Sequence, residues 1–85
     1  MAWRYQPVWK DYPITGRVYS LCEVYFDKDG KLESWTENPA MTPSGNDIAD
    51  LQGTLERMLS DTRRWEPVDF DSLVPGMAIT RKEVA

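Results

Sequence analysis

Cysteine and aspartate are the side chains of this sequence that could do chemistry by type and spacing. Cys22 is the single thiol, and the 85 residues contain no histidine. A reactive thiolate needs a base or a positively charged neighbour, and histidine commonly serves as either. Its absence excludes Ser-His-Asp and Cys-His catalysis and histidine-ligated zinc. We therefore expect Cys22 to be a small buried thiol, and we expect no enzyme activity.

Four aspartates suggest a second kind of chemistry. Asp27-x-Asp29-Gly30 begins like a calcium loop, but its glycine is fourth instead of sixth and strand-forming residues follow it. Asp69 and Asp71 could pair with Asp27 or Glu23 in a two-metal carboxylate site of the nuclease kind. Surface carboxylates are more often simply solvated. We predict a turn at Asp27 and no metal or other cofactor, with a metal-dependent nuclease remnant as an alternative.

Composition indicates one small globular domain. Hydrophobic residues make up 41% of the chain, charged residues make up 28%, and four tryptophans supply apolar surface that a disordered chain would lack. We expect a single domain over residues 1–75 and a flexible tail over residues 76–85.

The location and the partners follow from charge and cysteine content. No apolar run approaches the roughly 20 residues that span a bilayer, and the N-terminus lacks the apolar core of a signal peptide. A lone cysteine favours a reducing compartment, so we expect a cytoplasmic protein without membrane contact. The net charge of −4 repels a phosphate backbone, which favours a protein partner over nucleic acid.

Hydrophobic periodicity predicts three strands and one helix. Alternation around Trp3-x-Tyr5-x-Pro7-x-Trp9 predicts a strand over residues 2–10, and the proline favours an edge position. Residues 18–26 and 32–37 predict a hairpin around a turn that ends at Gly30.

A three-residue turn would pair Phe26 with Leu32 and Val24 with Ser34, which places small apolar residues on one face of the hairpin. The opposite face would then be aromatic and acidic. Its predicted partner-binding residues are Tyr19, Glu23, Tyr25, Glu33, Trp35 and Glu37. A slip of one residue in register would exchange the two faces.

The helix is predicted from an N-cap at Asp47 to about Arg64. A stripe at the spacing of a helix face indicates which side packs on the sheet. It consists of Ile48, Leu51, Leu55, Met58, Leu59 and Thr62. Pro67 ends the helix, and Val68 to Val74 are expected to add an edge strand or to cover apolar surface.

Several motifs carry a resemblance to a family of short uncharacterised bacterial proteins. They are W-x-Y near the start, C-E-V-Y-F-D-K-D-G-K, W-T-E-N-P, P-S-G and D-L-x-x-x-L-E-R-M-L, within residues 3–70. The order of elements also resembles, more distantly, the HicB antitoxin domain. That likeness implies toxin neutralisation by protein binding, without the DNA-binding module that follows many such antitoxins.

The sequence thus predicts an α+β fold, a three-stranded antiparallel sheet with one helix on one face and an extended C-terminal segment. The predicted function is non-catalytic protein interaction of the antitoxin type, or inhibition of a basic protein that acts on nucleic acid. The partner is a separate protein or a second copy of the chain, and a structural homo-oligomer is the further alternative.

Overall fold

The computed structural model describes residues 2–37 and 43–79. It is an α+β fold with one helix and a curled mixed sheet of four strands in the order β3-β2-β1-β4. The strands are β1 (Ala2–Tyr12), β2 (Gly16–Phe26), β3 (Leu32–Trp35) and β4 (Val68–Asp69), and the helix α1 spans Ile48–Arg64. No helix in the described ranges is long and apolar enough to cross a membrane.

The long β1–β2 hairpin is the base of the fold. Eleven residue pairs run from Ala2↔Phe26 to Tyr12↔Gly16, where Gly16 has a φ of 77° that favours glycine. Because opposite residues in an antiparallel pair share a face and neighbours alternate, the pairing defines two faces. We call the one containing Val8, Cys22 and Val24 the covered face and the other the aromatic face.

The predicted β2–β3 turn is confirmed, but the predicted pairing beyond it is wrong. Asp27 N–H donates to Lys31 O at 2.9 Å, and Gly30 has a φ of 78°. Phe26 pairs with Leu32 as expected, yet Val24 pairs with Trp35 instead of Ser34. Glu33 is an extra residue in β3, and such a bulge reverses the face of every residue after it.

The core lies between the covered face and the C-terminal segment, residues 68–79. Val8, Cys22 and Val24 are fully buried, and Leu73 closes the cluster from the other side. Half-buried side chains complete it: Trp35, Val68, Phe70, Met77 and Ile79.

Two backbone hydrogen bonds hold the C-terminal segment to the sheet. Leu32 N–H donates to Met77 O at 2.9 Å, and Gly76 N–H donates to Leu32 O at 2.6 Å. Residues 76–79, which the sequence assigns to a flexible tail, are thus part of the packed structure, while residues 80–85 lie outside the described residues. The predicted extended segment both adds an edge strand, β4, and covers apolar surface.

β4 also overturns the expected edge position of Pro7. It pairs in parallel with Val8 and Trp9, so β1 lies inside the sheet. Tyr5 N–H points away from β2, where Asp61 accepts it, and the missing N–H of Pro7 would have pointed the same way. The proline therefore leaves the β1–β2 ladder intact.

The helix bounds are confirmed, but the predicted packing face is wrong. Asp47 accepts a hydrogen bond from Asp50 N–H at 2.7 Å, which is the expected N-cap. Met58 is buried, whereas Ile48 is 69% exposed and Leu55 is 45% exposed.

The helix lies along the edge of β1 because the C-terminal segment occupies the covered face. Tyr5 N–H donates to Asp61 Oδ2 at 3.0 Å, so a buried carboxylate from the helix satisfies the strand edge. The buried side passes through Thr54, Met58 and Asp61, rotated by roughly 80° from the predicted stripe at 3.6 residues per turn.

Candidate functional site

The aromatic face combines large side chains from β1 and β2. Trp3 lies opposite Tyr25 and Trp9 lies opposite Tyr19, so an aromatic pair stands near each end of the face. Between them, Tyr5 lies opposite Glu23 and Pro7 lies opposite Leu21. Trp3 and Tyr5 also meet edge to face, with ring centroids 5.2 Å apart.

Exposure varies along this face. Tyr19 is 63% exposed, and Trp3, Trp9 and Tyr25 are half-buried. Among the described elements, α1 approaches the face only near the start of β1, beside Trp3 and Tyr5. The Trp9–Tyr19 end is therefore the more accessible part of the aromatic face.

An arginine stacks on each tryptophan of this face. The guanidinium carbon of Arg57 lies 4.1 Å from the Trp3 ring centroid, and that of Arg17 lies 3.6 Å from the Trp9 ring centroid. Arg17 also pairs with Asp11 at 2.9 Å. The hydrogen bond from Arg17 holds the pKa of the Asp11 carboxyl below its usual range. The stacks restrict both indole rings, and Asp11 compensates the charge of Arg17 at the Trp9 end.

Glu23 is the carboxylate in the middle of the face. It accepts a hydrogen bond from the hydroxyl of Tyr25, and this bond, with burial and the negative charge of Glu23, raises the pKa of Tyr25. Burial, together with the same carboxylate, raises the pKa of Tyr5. Both tyrosines are thus neutral hydrogen-bonding groups at physiological pH.

A groove of about 420 Å³ lies where α1 borders the aromatic face. Trp3 and Tyr5 line it from the sheet, and Gly53, Thr54 and Arg57 line it from the helix. A Cβ added to Gly53 would meet no atom within 4 Å. The glycine thus keeps this wall of the groove low although it weakens the helix by about 1 kcal/mol relative to alanine.

The structure brings together only half of the predicted partner-binding residues. Tyr19, Glu23 and Tyr25 lie on the aromatic face. Trp35 is on the opposite side of the sheet and packs against the core, because of the bulge at Glu33. Glu33 and Glu37 are exposed and line, with Trp35 and Pro75, a separate depression of about 300 Å³.

Sequence reasoning missed Trp3, Tyr5 and Trp9 as members of the aromatic face. Their alternation is visible in the sequence, but nothing local specifies which strand pairs with β1. Pairing Tyr12 with Gly16 across the Pro13–Thr15 loop would have placed all three opposite the odd-numbered residues of β2.

The four aspartates of the nuclease alternative lie in two separate turns. Asp27 accepts from the N–H groups of Asp29 and Lys31, and Asp69 accepts from Asp71 N–H. Asp71 pairs with Lys10 at 3.1 Å. No group of three metal-ligating residues occurs in the described part of the chain.

Cys22 is buried on the covered face. Desolvation raises the pKa of its thiol to about 11, so the unreactive protonated form dominates at neutral pH.

Comparison with known proteins adds no relative. No protein-family model matches the chain, and neither a curated protein nor a solved structure does so. The resemblance to short bacterial proteins and to the HicB domain stays a prediction from the motifs.

Proposed function

We propose that this protein is a non-catalytic interaction protein that binds a separate, basic protein through its aromatic face. The observation that carries the proposal is the two cross-strand Trp–Tyr pairs on a strand scaffold, with the Trp9–Tyr19 end accessible. Tyrosine and tryptophan bury large areas at low cost in side-chain entropy, and they dominate binding energy at protein interfaces.

The rigidity of the aromatic side chains also supports the proposal. Trp3 and Trp9 are held by stacked arginines, and Tyr25 is held by its bond to Glu23. Side chains that are already ordered lose less freedom on association, so more of the contact energy appears as affinity.

The net charge of the chain and the position of Glu23 both favour a positively charged partner. The net charge is −4, and Glu23 offers a carboxylate at the centre of the aromatic face. A basic partner would be attracted at long range and could pair with this carboxylate. Inhibition of a basic protein that acts on nucleic acid, as in toxin neutralisation, is the activity that fits this chemistry.

The test is recovery of a partner from the native host with the wild-type chain and two variants. Tyr19→Ala should lose about 2 kcal/mol or more of binding free energy, which is the size of a hot-spot effect. Tyr12→Ala is the matched control, because Tyr12 is also an exposed β1–β2 tyrosine but its position alternates to the other face. Equal binding by all three proteins would contradict the proposal.

The groove beside α1 allows a second test of the proposal. Gly53→Leu adds a side chain beside Trp3 and Tyr5, whereas Gln52→Leu places the same leucine at the neighbouring exposed position, which does not line the groove. We expect weaker partner binding only for Gly53→Leu if the partner extends from the Trp9–Tyr19 end to the helix.

Charge variants separate a basic partner from self-association. Glu23→Gln should slow association with a basic partner and flatten its salt dependence, while Glu33→Gln, away from the face, should change the rate less. If sedimentation instead shows a dimer that Tyr19→Ala dissociates, the aromatic face joins two copies of the chain and the structural homo-oligomer replaces the proposal.

A further inference from the structure

An arginine-lined cleft lies at the other end of the helix from its N-cap. It has a volume of about 380 Å³ between the start of β1 and the C-terminal half of α1. Arg4 lines it from the strand, Arg57 and Arg64 line it from the helix, and Asp61 is the carboxylate among them. The volume is in the range of small-molecule sites.

Arg4 is held rigidly in this cleft. Its guanidinium carbon lies 3.4 Å from the Trp65 ring centroid and 4.3 Å from the Phe26 ring centroid, so two aromatic rings pack against it. Arg4 Nε donates to Gln6 Oε1 at 3.2 Å. These contacts fix the position of the positive charge in the wall of the cleft.

One nitrogen of Arg4 lacks an acceptor. Nη2 is buried and has no hydrogen-bond partner among the described residues. Burial lowers the pKa of Arg4 to about 10, while the nearby Asp61 acts in the opposite direction. The group is still protonated at neutral pH, so a partly desolvated cation lines the cleft.

The cleft is lined mainly by positive charge, whereas the chain as a whole is negative. Three guanidinium groups face one carboxylate, in a protein whose net charge is −4. Asp61 already accepts Tyr5 N–H, and no salt bridge joins it to an arginine within the described residues. Arg64 is favoured in the last turn of the helix by the dipole, but that effect explains neither Arg57, two turns earlier, nor Arg4, which lies on a strand.

We propose that this cleft binds the phosphate group of a small molecule between Arg4, Arg57 and Arg64. Arg4 supplies a fixed, partly desolvated positive charge in the wall, and the exposed Arg57 and Arg64 supply the donors that reach the phosphate. The cleft is larger than a single phosphate needs, so a phosphate monoester such as a nucleoside monophosphate fits the same chemistry as free phosphate.

The experiment titrates the intact protein at constant ionic strength with inorganic phosphate, a nucleoside monophosphate and the matching nucleoside. Binding is followed by the fluorescence of Trp3 and Trp65, which line the cleft, and by calorimetry. We expect saturable binding of phosphate or of the monophosphate, with a dissociation constant below about 1 mM, and none of the nucleoside. Tighter binding of the monophosphate would identify an ester as the ligand.

Matched variants test the assignment. Arg64→Gln and Arg57→Gln should each weaken binding by about tenfold or more, as the loss of a charged hydrogen bond does. Arg63→Gln removes the same charge from the neighbouring position, which does not line the cleft, and should change the affinity by less than about threefold. Ser60→Leu should block binding by filling the cleft without changing its charge.

Two results would overturn the inference. One is the absence of saturable binding by either phosphate compound; the other is an equal effect of Arg63→Gln and Arg64→Gln, which would show only attraction to overall charge. Arg4 is left unchanged in these tests because its two aromatic contacts support the fold. The outcome is independent of partner binding at the Trp9–Tyr19 end of the aromatic face.

Discussion

Alternate residues of the same two strands build the covered face and the aromatic face, and the two faces differ in what they bury. On the covered face, Val8, Cys22 and Val24 are small and have no exposed surface. On the aromatic face, Trp9 and Tyr19 are large and stay partly exposed. If the fold depended on Trp9 and Tyr19 for stability, we would expect these large side chains to be fully buried, because burial removes apolar area from water. The covered face therefore supplies the core, while the Trp9–Tyr19 end of the aromatic face keeps large side chains accessible.

The largest expected effect is on the covered face. Leu32 is 1% exposed, and its backbone also bonds to Gly76 and Met77. Leu32→Ala should lower the free energy of unfolding by about 2 to 5 kcal/mol, through lost burial and the remaining cavity. Urea denaturation measures this loss. A change below about 0.5 kcal/mol would show that the C-terminal segment does not close a core there.

Two apolar residues of the helix, Leu55 and Met58, lie three positions apart and differ in burial. Met58→Ala should cost about 2 to 5 kcal/mol, while Leu55→Ala, at a half-exposed position, should cost about 1 kcal/mol. The same denaturation experiment measures both. An equal or larger loss for Leu55→Ala would restore the helix face that the sequence predicts.

The sequence was sufficient for the local elements because local signals specify them. Asp47 and Asp50 mark the helix start, and Gly30 ends a turn that requires a positive φ. The packing of the helix depends on a distant contact instead. Nothing near Asp61 in the sequence shows that its carboxylate will accept Tyr5 N–H, 56 residues away, and this contact draws the helix to the strand edge.

The candidate site was predicted only for β2. Alternation from Tyr19 to Tyr25 sufficed for that strand, since a strand without irregularity keeps its side chains on fixed faces. One extra residue, Glu33, moved Trp35 to the covered side. A bulge leaves little signal in a single sequence, because the residue it inserts resembles its neighbours in polarity and propensity.

Alkaline pH tests the burial of the covered face through Cys22. The raised pKa means that the folded state favours the protonated thiol, so its contribution is complete below the unfolded pKa. The free energy of unfolding should therefore fall as pH rises from 9.0 towards about 11, by about 2 kcal/mol. The difference from Cys22→Ala, measured by denaturation across this range, isolates the thiol because Tyr5 and Tyr25 titrate in both proteins. A difference that does not vary with pH would mean that the thiol is solvated.

The smallest expected effect is on the aromatic face, at the residue that the proposed function needs most. Tyr19 is 63% exposed, so Tyr19→Ala removes little buried area and should change the free energy of unfolding by less than about 0.5 kcal/mol. Its neighbour across the ladder, Trp9, is stacked by Arg17, so Trp9→Ala should cost more and serves as the comparison. Thermal and urea denaturation of both variants measure the contrast. If Tyr19→Ala destabilises the fold as much as Trp9→Ala does, the aromatic face supports the structure, and loss of partner binding by that variant would no longer identify a binding surface.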